Sequence, residues 1–392
     1  MRTRPRTLTS LLLTVPLALA VAACSGGSSA GPSNADAKTA GSDSAIVIGA
    51  TLSLTGSLAA LGQPLAAGYR QEIADVNTAG GIAIGGTRER LKLVVLDNGS
   101  DPSTAASQAT ALVRLDHAVA LLGSATTAIV TPTALIAEQL HVPLVTSQMP
   151  VEAFASGDKT GWAYSWDLFY DEQQQATDAA RALAAAGGDK KVALFTDTEP
   201  DSVVERPLYE AAFKADGLRV VGDYTFPVGT KDFSLFVADA KAAGAESLAG
   251  QLAPADAAAL SRQLTSSGFR PKAAFLAPAA DAGYRVQSLG GLVRGSLSGQ
   301  YWSPSEASPG QLAVIAPTLG KKYAGSSSYA AAAVGYAVAE VLTDALATAG
   351  SVNPGKLNSA ISRTHARTTA GLIKFSRFTH TATTPYYVNQ RQ

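Results

Sequence analysis

Cysteine is almost absent: Cys24 is the only one in 392 residues. That excludes an intrachain disulfide and a thiolate metal site. Histidine is nearly as scarce. His117, His141, His365 and His380 lack metal-ligand spacing, so no metal is expected. Charged residues make up only 16%, with 31 basic against 31 acidic. Residues 1–23 hold three arginines and no acid, and without them 28 basic face 31 acidic residues, a net charge of −3. No basic surface for a nucleic-acid partner is available. Neither a nucleophile–base pair nor a cofactor motif is visible, so no enzymatic activity and no cofactor are expected.

Several near-motifs fail on inspection. Gly350 to Lys356 has phosphate-loop spacing, but Leu357 stands where a magnesium-binding hydroxyl belongs and a helix precedes it. It reads as a helix stop and turn. Gly295 to Gly299 has Leu297 at the middle position of a hydrolase elbow, so no nucleophile is present. Asn98-Gly99-Ser100 is a glycosylation sequon by pattern only.

What is present begins with an export signal over 1–23. Arg2, Arg4 and Arg6 precede an apolar run from Leu11 to Ala23 that is too short for a permanent membrane span. It ends Val21-Ala22-Ala23-Cys24, which resembles a bacterial lipobox with Cys24 as the lipidated residue. A lipid there anchors the protein extracytoplasmically, on the outer face of the cell membrane. Residues 24–44 are rich in Ser, Gly and Ala and form a flexible tether.

The folded body begins at Ala45, and its length suits two domains. Strands at 46–50, 91–96, 118–122 and 142–146 alternate with helices at 63–77 and 103–114. The stretch Leu121 to Ser147 reads strand, polar turn, helix, strand. Its helix starts either at the Thr131-Pro132 cap or near Thr127. Both starts put free N–H groups at the carboxyl end of a strand, where open α/β sheets bind ligands. An extended aromatic segment at 162–169 leads to a helix at 171–186, stopped by Gly187-Gly188. A second βα series follows, with strands at 191–197, 220–226, 246–252 and 273–276, and helices at 203–215, 233–243 and 256–267. A helix at 328–349 precedes late strand material at Phe375 and at 386–388. The alternation calls for an α/β fold of parallel sheets with helices on both faces.

The ordered set of local patterns resembles the type I periplasmic solute-binding proteins of the branched-chain amino acid (Leu/Ile/Val) kind. It runs from Ile46-Val47-Ile48-Gly49 and Thr55-Gly56 through Asp75-Val76-Asn77, Asp101-Pro102, Leu122-Gly123 and Val142-Pro143-Leu144 to Thr230-Lys231-Asp232-Phe233-Ser234 and Tyr329-Ala330-Ala331. The resemblance implies a clamshell of two doubly wound lobes joined by three crossovers near 168, 279 and 376. Lobe 1 would be 45–168 plus 280–375, and lobe 2 would be 169–279 plus 376–392. It further implies a monomer that captures an amino acid or related amphipathic molecule between its lobes and passes it to the membrane permease of an ABC importer. The same clamshell as a sensory module signalling to a membrane partner is the alternative.

By the same resemblance, Thr127, with Thr126 beside it, takes the position of a hydroxyl that meets a ligand carboxylate. Asp256 takes that of an acid for an ammonium group, and Ser147 and Gln148 that of main-chain contacts. Three positions depart from the amino acid binders: Pro150 replaces a hydroxyl, Leu61 an aromatic ring and Asp201 a tyrosine. Tyr170 and Trp302 are the aromatic residues near the crossovers that could line the cleft.

Overall fold

The computed structural model describes residues 45–186, 190–278, 296–324 and 328–390. The signal, the tether, Cys24 and the Gly187-Gly188 stop lie outside the described residues.

Isoleucine and valine dominate β1 (Ile46–Leu52), and the 20-residue α1 (Ala59–Thr78) follows. A hairpin of β2 (Ile82–Ile84) and β3 (Thr87–Glu89) leads to β4 (Leu91–Asp97) and α2 (Pro102–Arg114). The α2 cap is Asp101, whose side chain accepts from the Thr104 N–H, and Pro102 sits where no intrahelical N–H is needed. Then come β5 (Ala120–Leu122), α3 (Thr127–Leu140), β6 (Leu144–Thr146), the short α4 (Val151–Ser156) and β7 (Ser165–Phe169). The α3 helix therefore starts at Thr127, and Pro132 lies inside it rather than at its first turn.

The second series is α5 (Glu172–Ala185), β8 (Lys191–Asp197), α6 (Pro200–Ala215), β9 (Arg219–Phe226), α7 (Ser234–Ala242), β10 (Ser247–Leu252), α8 (Pro254–Ser266) and β11 (Ala273–Pro278). After β12 (Leu297–Gln300) follow α9 (Pro309–Ile315), a π-turn at Ala316–Gly320, α10 (Lys321–Tyr323), α11 (Ser328–Ala349) and α12 (Pro354–Ile361). Gly350 to Lys356 is thus more than a turn, because Asn353 caps α12 through the Lys356 N–H. The chain closes with β13 (His365–Thr368), β14 (Gly371–Lys374), β15 (Thr381–Thr383) and β16 (Tyr387–Gln390). Phe375 itself lies outside the strands and is buried in the core.

Two parallel sheets define two lobes. The first has the order β15-β7-β6-β5-β1-β4 and the second β11-β10-β8-β9. In each, the chain's first strand is flanked by its second on one side and its third on the other. The order thus reverses between β1 and β5 in one lobe and between β8 and β10 in the other. Two crossovers lie further along than the sequence suggests. β12 pairs with β16 and packs on β11 and α5, so Leu297–Gln300 belongs with lobe 2 rather than lobe 1. β15 pairs with β7, so Thr381–Thr383 belongs with lobe 1. The chain therefore changes lobes after Phe169, after Gln300 and after Thr383. Strands of three or four residues carry too little pattern to declare which sheet they join.

Apolar clusters cover both faces of both sheets, and the largest runs through the crossovers. At its centre α1 crosses α11. A Cβ on Gly68 would stand 2.2 Å from the Ala332 carbonyl oxygen, and one on Gly335 would stand 2.6 Å from that of Leu65. The two backbones meet closely because neither residue has a side chain. α11 is long and apolar enough to cross a membrane by composition, yet 83% of its most apolar window is buried against the protein, so it is a core helix.

Candidate functional site

The carboxyl ends of the two reversal points face each other. Between them lies a cavity of about 240 Å³. Lobe 1 contributes Ser57, Leu58, Leu61, Thr126 and Ile129, and lobe 2 contributes Asp197, Glu199, Asp201, Gln251, Leu252 and Asp256. This is where open α/β sheets place ligands.

The lobe 1 wall is built on a constrained turn. A Cβ on Gly123 would lie 1.9 Å from Thr146 Oγ1, so only glycine lets β5 run against β6 here. The Gly123 carbonyl accepts from Tyr69 Oη at 2.8 Å. Thr126 then adopts φ 69 and ψ 149, a region almost confined to glycine, and Gln148 adopts φ 62. The Thr126 N–H donates to the Gln148 carbonyl at 3.0 Å, which binds the two strained residues together. Backbone strain in threonine and glutamine costs about 1–3 kcal/mol each and persists where the surroundings impose it, commonly at functional sites. The hydroxyls of Ser124, Thr126, Thr127 and Ser147 and the Gln148 Nε2 are buried without a partner.

The lobe 2 wall is acidic. Pro200 opens α6 and Pro254 opens α8, which places Asp201 and Asp256 in their first turns. The Asp197 carboxylate ties the two turns together: Oδ1 accepts from the Glu199 N–H at 3.0 Å and Ser202 Oγ at 2.5 Å, and Oδ2 accepts from the Ala253 N–H at 2.7 Å. Asp256 accepts the Gly229 N–H on both oxygens, at 3.1 and 3.0 Å, and burial pushes its pKa up. Glu199 is also raised, by burial first and by Asp197 second.

Asp201 reaches across the cleft. It is 9% exposed, and burial pushes its pKa up to about 7. The Thr127 hydroxyl and main-chain N–H oppose this rise by favouring the ionised form, while Glu199 and Asp197 add to it. Neither Thr127 Oγ1 nor Asp201 Oδ1 has a partner of full hydrogen-bond geometry. Behind this pair Asp167 is wholly buried, with both oxygens unpartnered and its pKa driven up by burial and by Asp201.

Of the residues singled out from sequence, Thr126, Asp201 and Asp256 line the cavity, and so does Leu61. Thr127 lies directly behind Thr126. Ser147 and Gln148 support the turn from beneath it and do not line the cavity. Tyr170 and Trp302 are elsewhere. Tyr170 packs among Phe169, Tyr301 and Tyr386 where the chain changes lobes. Trp302 is buried in lobe 1, donating Nε1–H to the Thr369 carbonyl at 2.6 Å and packing edge-on to Tyr329. Both satisfy their environment as core residues. Sequence reasoning missed Asp197, Gln251 and Leu252, although each ends a strand next to the reversal of strand order, the one signal that could have found them. Among the described residues no group of three or more His, Cys, Asp or Glu could hold a metal ion.

A family model described as "Periplasmic binding protein" matches residues 45–392, and the chain belongs to that family. The chain is 28% identical over 258 residues to the Leu/Ile/Val-binding protein homolog 3 of Brucella melitensis, covering 66% of this chain and 63% of that one. It thus spans just under two thirds of that relative's length. Among solved structures, a leucine binding protein LivK from Thermotoga maritima shares 25% identity at a TM-score of 0.77, covering 88% of this chain and 95% of that one. An ABC-transporter solute-binding protein from R. palustris in complex with 4-hydroxybenzoate has a TM-score of 0.74 at 18% identity, covering 88% and 92%. These relatives are binding proteins, not enzymes.

Proposed function

We propose that the chain is the extracytoplasmic, lipid-anchored binding component of an ABC importer. It captures a small amphipathic solute, an amino acid or a related molecule, between its lobes and presents the closed form to the permease. The observation that carries this reading is the cavity at the facing reversal points, lined from both lobes by polar groups and by apolar side chains such as Leu58, Leu61 and Ile129. A ligand touching both walls binds the closed arrangement better than an open one, and that difference drives closure. The relatives, which by name bind leucine-type amino acids or an aromatic acid, supply the solute class. Anchoring rests on the Val21–Cys24 pattern.

A melting screen against amino acids, amides, amines and small carboxylates tests the reading, because a ligand that binds only the native state must raise the melting temperature. A hit should also compact the protein in small-angle scattering. Hits that stabilise without compaction, or no hit at all, would count against capture between lobes. Replacing Cys24 with Ser should release the protein from the membrane fraction.

A further inference from the structure

This inference rests on the solute-binding reading and narrows the solute. Five helices, α1, α2, α3, α6 and α8, place N-terminal residues on the cavity. Two carry their own neutralising acid in the first turn, Asp201 on α6 and Asp256 on α8. α1 and α2, like α3, have no acid in the first turn. The counter-charge for α3 comes from the opposite lobe, where Asp201 faces the Thr127 hydroxyl and N–H. A carboxyl group thus already stands where a ligand carboxylate would meet the α3 N-terminus. Both partners are more than nine-tenths buried, and beyond this pairing neither Thr127 Oγ1 nor Asp201 Oδ1 has a hydrogen-bond partner.

The rest of the lining adds negative charge only. Asp197, Glu199 and Asp256 join Asp201, and among the described residues no Lys, Arg or His lines the cavity. The Asp197 carboxylate is spent on two main-chain N–H groups and Ser202. Asp256 holds only the Gly229 N–H and keeps acceptor capacity.

We propose that Asp201 takes the place of a ligand carboxylate, so that this cavity selects a solute with an ammonium group and an apolar body and rejects free carboxylates. Asp256 and Asp201 flank the ammonium group, and Leu58, Leu61 and Ile129 pack on the apolar part. A carboxylate ligand would either displace Asp201 from α3 or be buried beside it, and like charges in a poorly solvated site repel strongly.

The test is titration calorimetry near pH 8, where Asp201 is ionised, with matched pairs: 3-methylbutylamine against leucine, and benzylamine against benzoate. The wild-type protein should bind the amine of a pair at least tenfold more tightly than the acid. Asp201→Asn should narrow that preference by tenfold or more by admitting the acid. An acid that binds wild-type protein as tightly as its matched amine overturns the inference while leaving the solute-binding reading intact. A preference unchanged in Asp201→Asn overturns the role of Asp201. No binding of any pair to either protein overturns the inference, and the melting screen then decides the reading beneath it.

Discussion

Replacing Asp201 with Asn should change how the ligand-free protein responds to pH. Burial raises the folded-state pKa from 3.8 to about 7, with Glu199 and Asp197 adding to the rise and Thr127 opposing it. Between these values the native state holds a proton that the unfolded chain has released. The stabilisation is therefore fully present below about pH 4 and is lost as pH rises through 7. The shift of about 3 units corresponds to about 4 kcal/mol in the limit. Hinge opening that returns Asp201 to water is an easier escape than unfolding, so this is an upper bound. Between about pH 5 and pH 8 the linkage gives a loss of about 2–3 kcal/mol from this residue. The amide introduced by Asp201→Asn carries no charge at either pH and should remove that share of the slope. Glu72, Asp167 and Glu340, also raised by burial, keep a background slope in both proteins. The measurement is urea unfolding of both proteins at the two pH values, read as the difference between their losses. Equal losses in wild type and variant would refute the burial of Asp201 against α3.

Three further substitutions address the same architecture. Thr127→Ala removes the hydroxyl that favours ionised Asp201, so the Asp201 titration followed by carboxyl NMR should move to higher pH, while Thr127→Ser should leave it in place. Gly123→Ala drives a methyl group into Thr146 and should destabilise the protein by about 1–3 kcal/mol in urea unfolding, as overpacked cores do. Trp302→Phe leaves the Thr369 carbonyl unpaired and should cost about 1–3 kcal/mol of stability. Its solute affinity should match that of wild type, because the residue lies away from the cavity.

The α/β class, the two lobes and the turn after β5 were legible because parallel strands and their helices leave long apolar runs with clear stops. Asp201 and Asp256 were legible only through the family resemblance, which puts a tyrosine and an acid of the amino acid binders at these positions, because the sequence pattern alone started the first of their helices beyond Asp201. Crossover positions were not, since β12 and β15 are short edge strands. The aromatic residues misled for a different reason. Tyr170 and Trp302 look equally suited to a cleft and a core, and only packing decides between them. An aromatic ring is content wherever it is buried and its polar atom is paired.

Polar residues at strand ends have fewer options, and this makes Thr126 and Gln148 the most informative pair in the site. Nothing in their residue types announces positive φ angles, which a sequence reader assigns to glycine. Their strain is visible only once β5 and β6 are paired and the Thr126 N–H meets the Gln148 carbonyl. The strained turn carries the α3 N-terminus on the cavity, and by the inference above Asp201 would decide what charge that terminus meets. One wall, with the strained turn, belongs to lobe 1. The other carries Asp201 and belongs to lobe 2, so on the proposed reading closure and charge selection would be the same event.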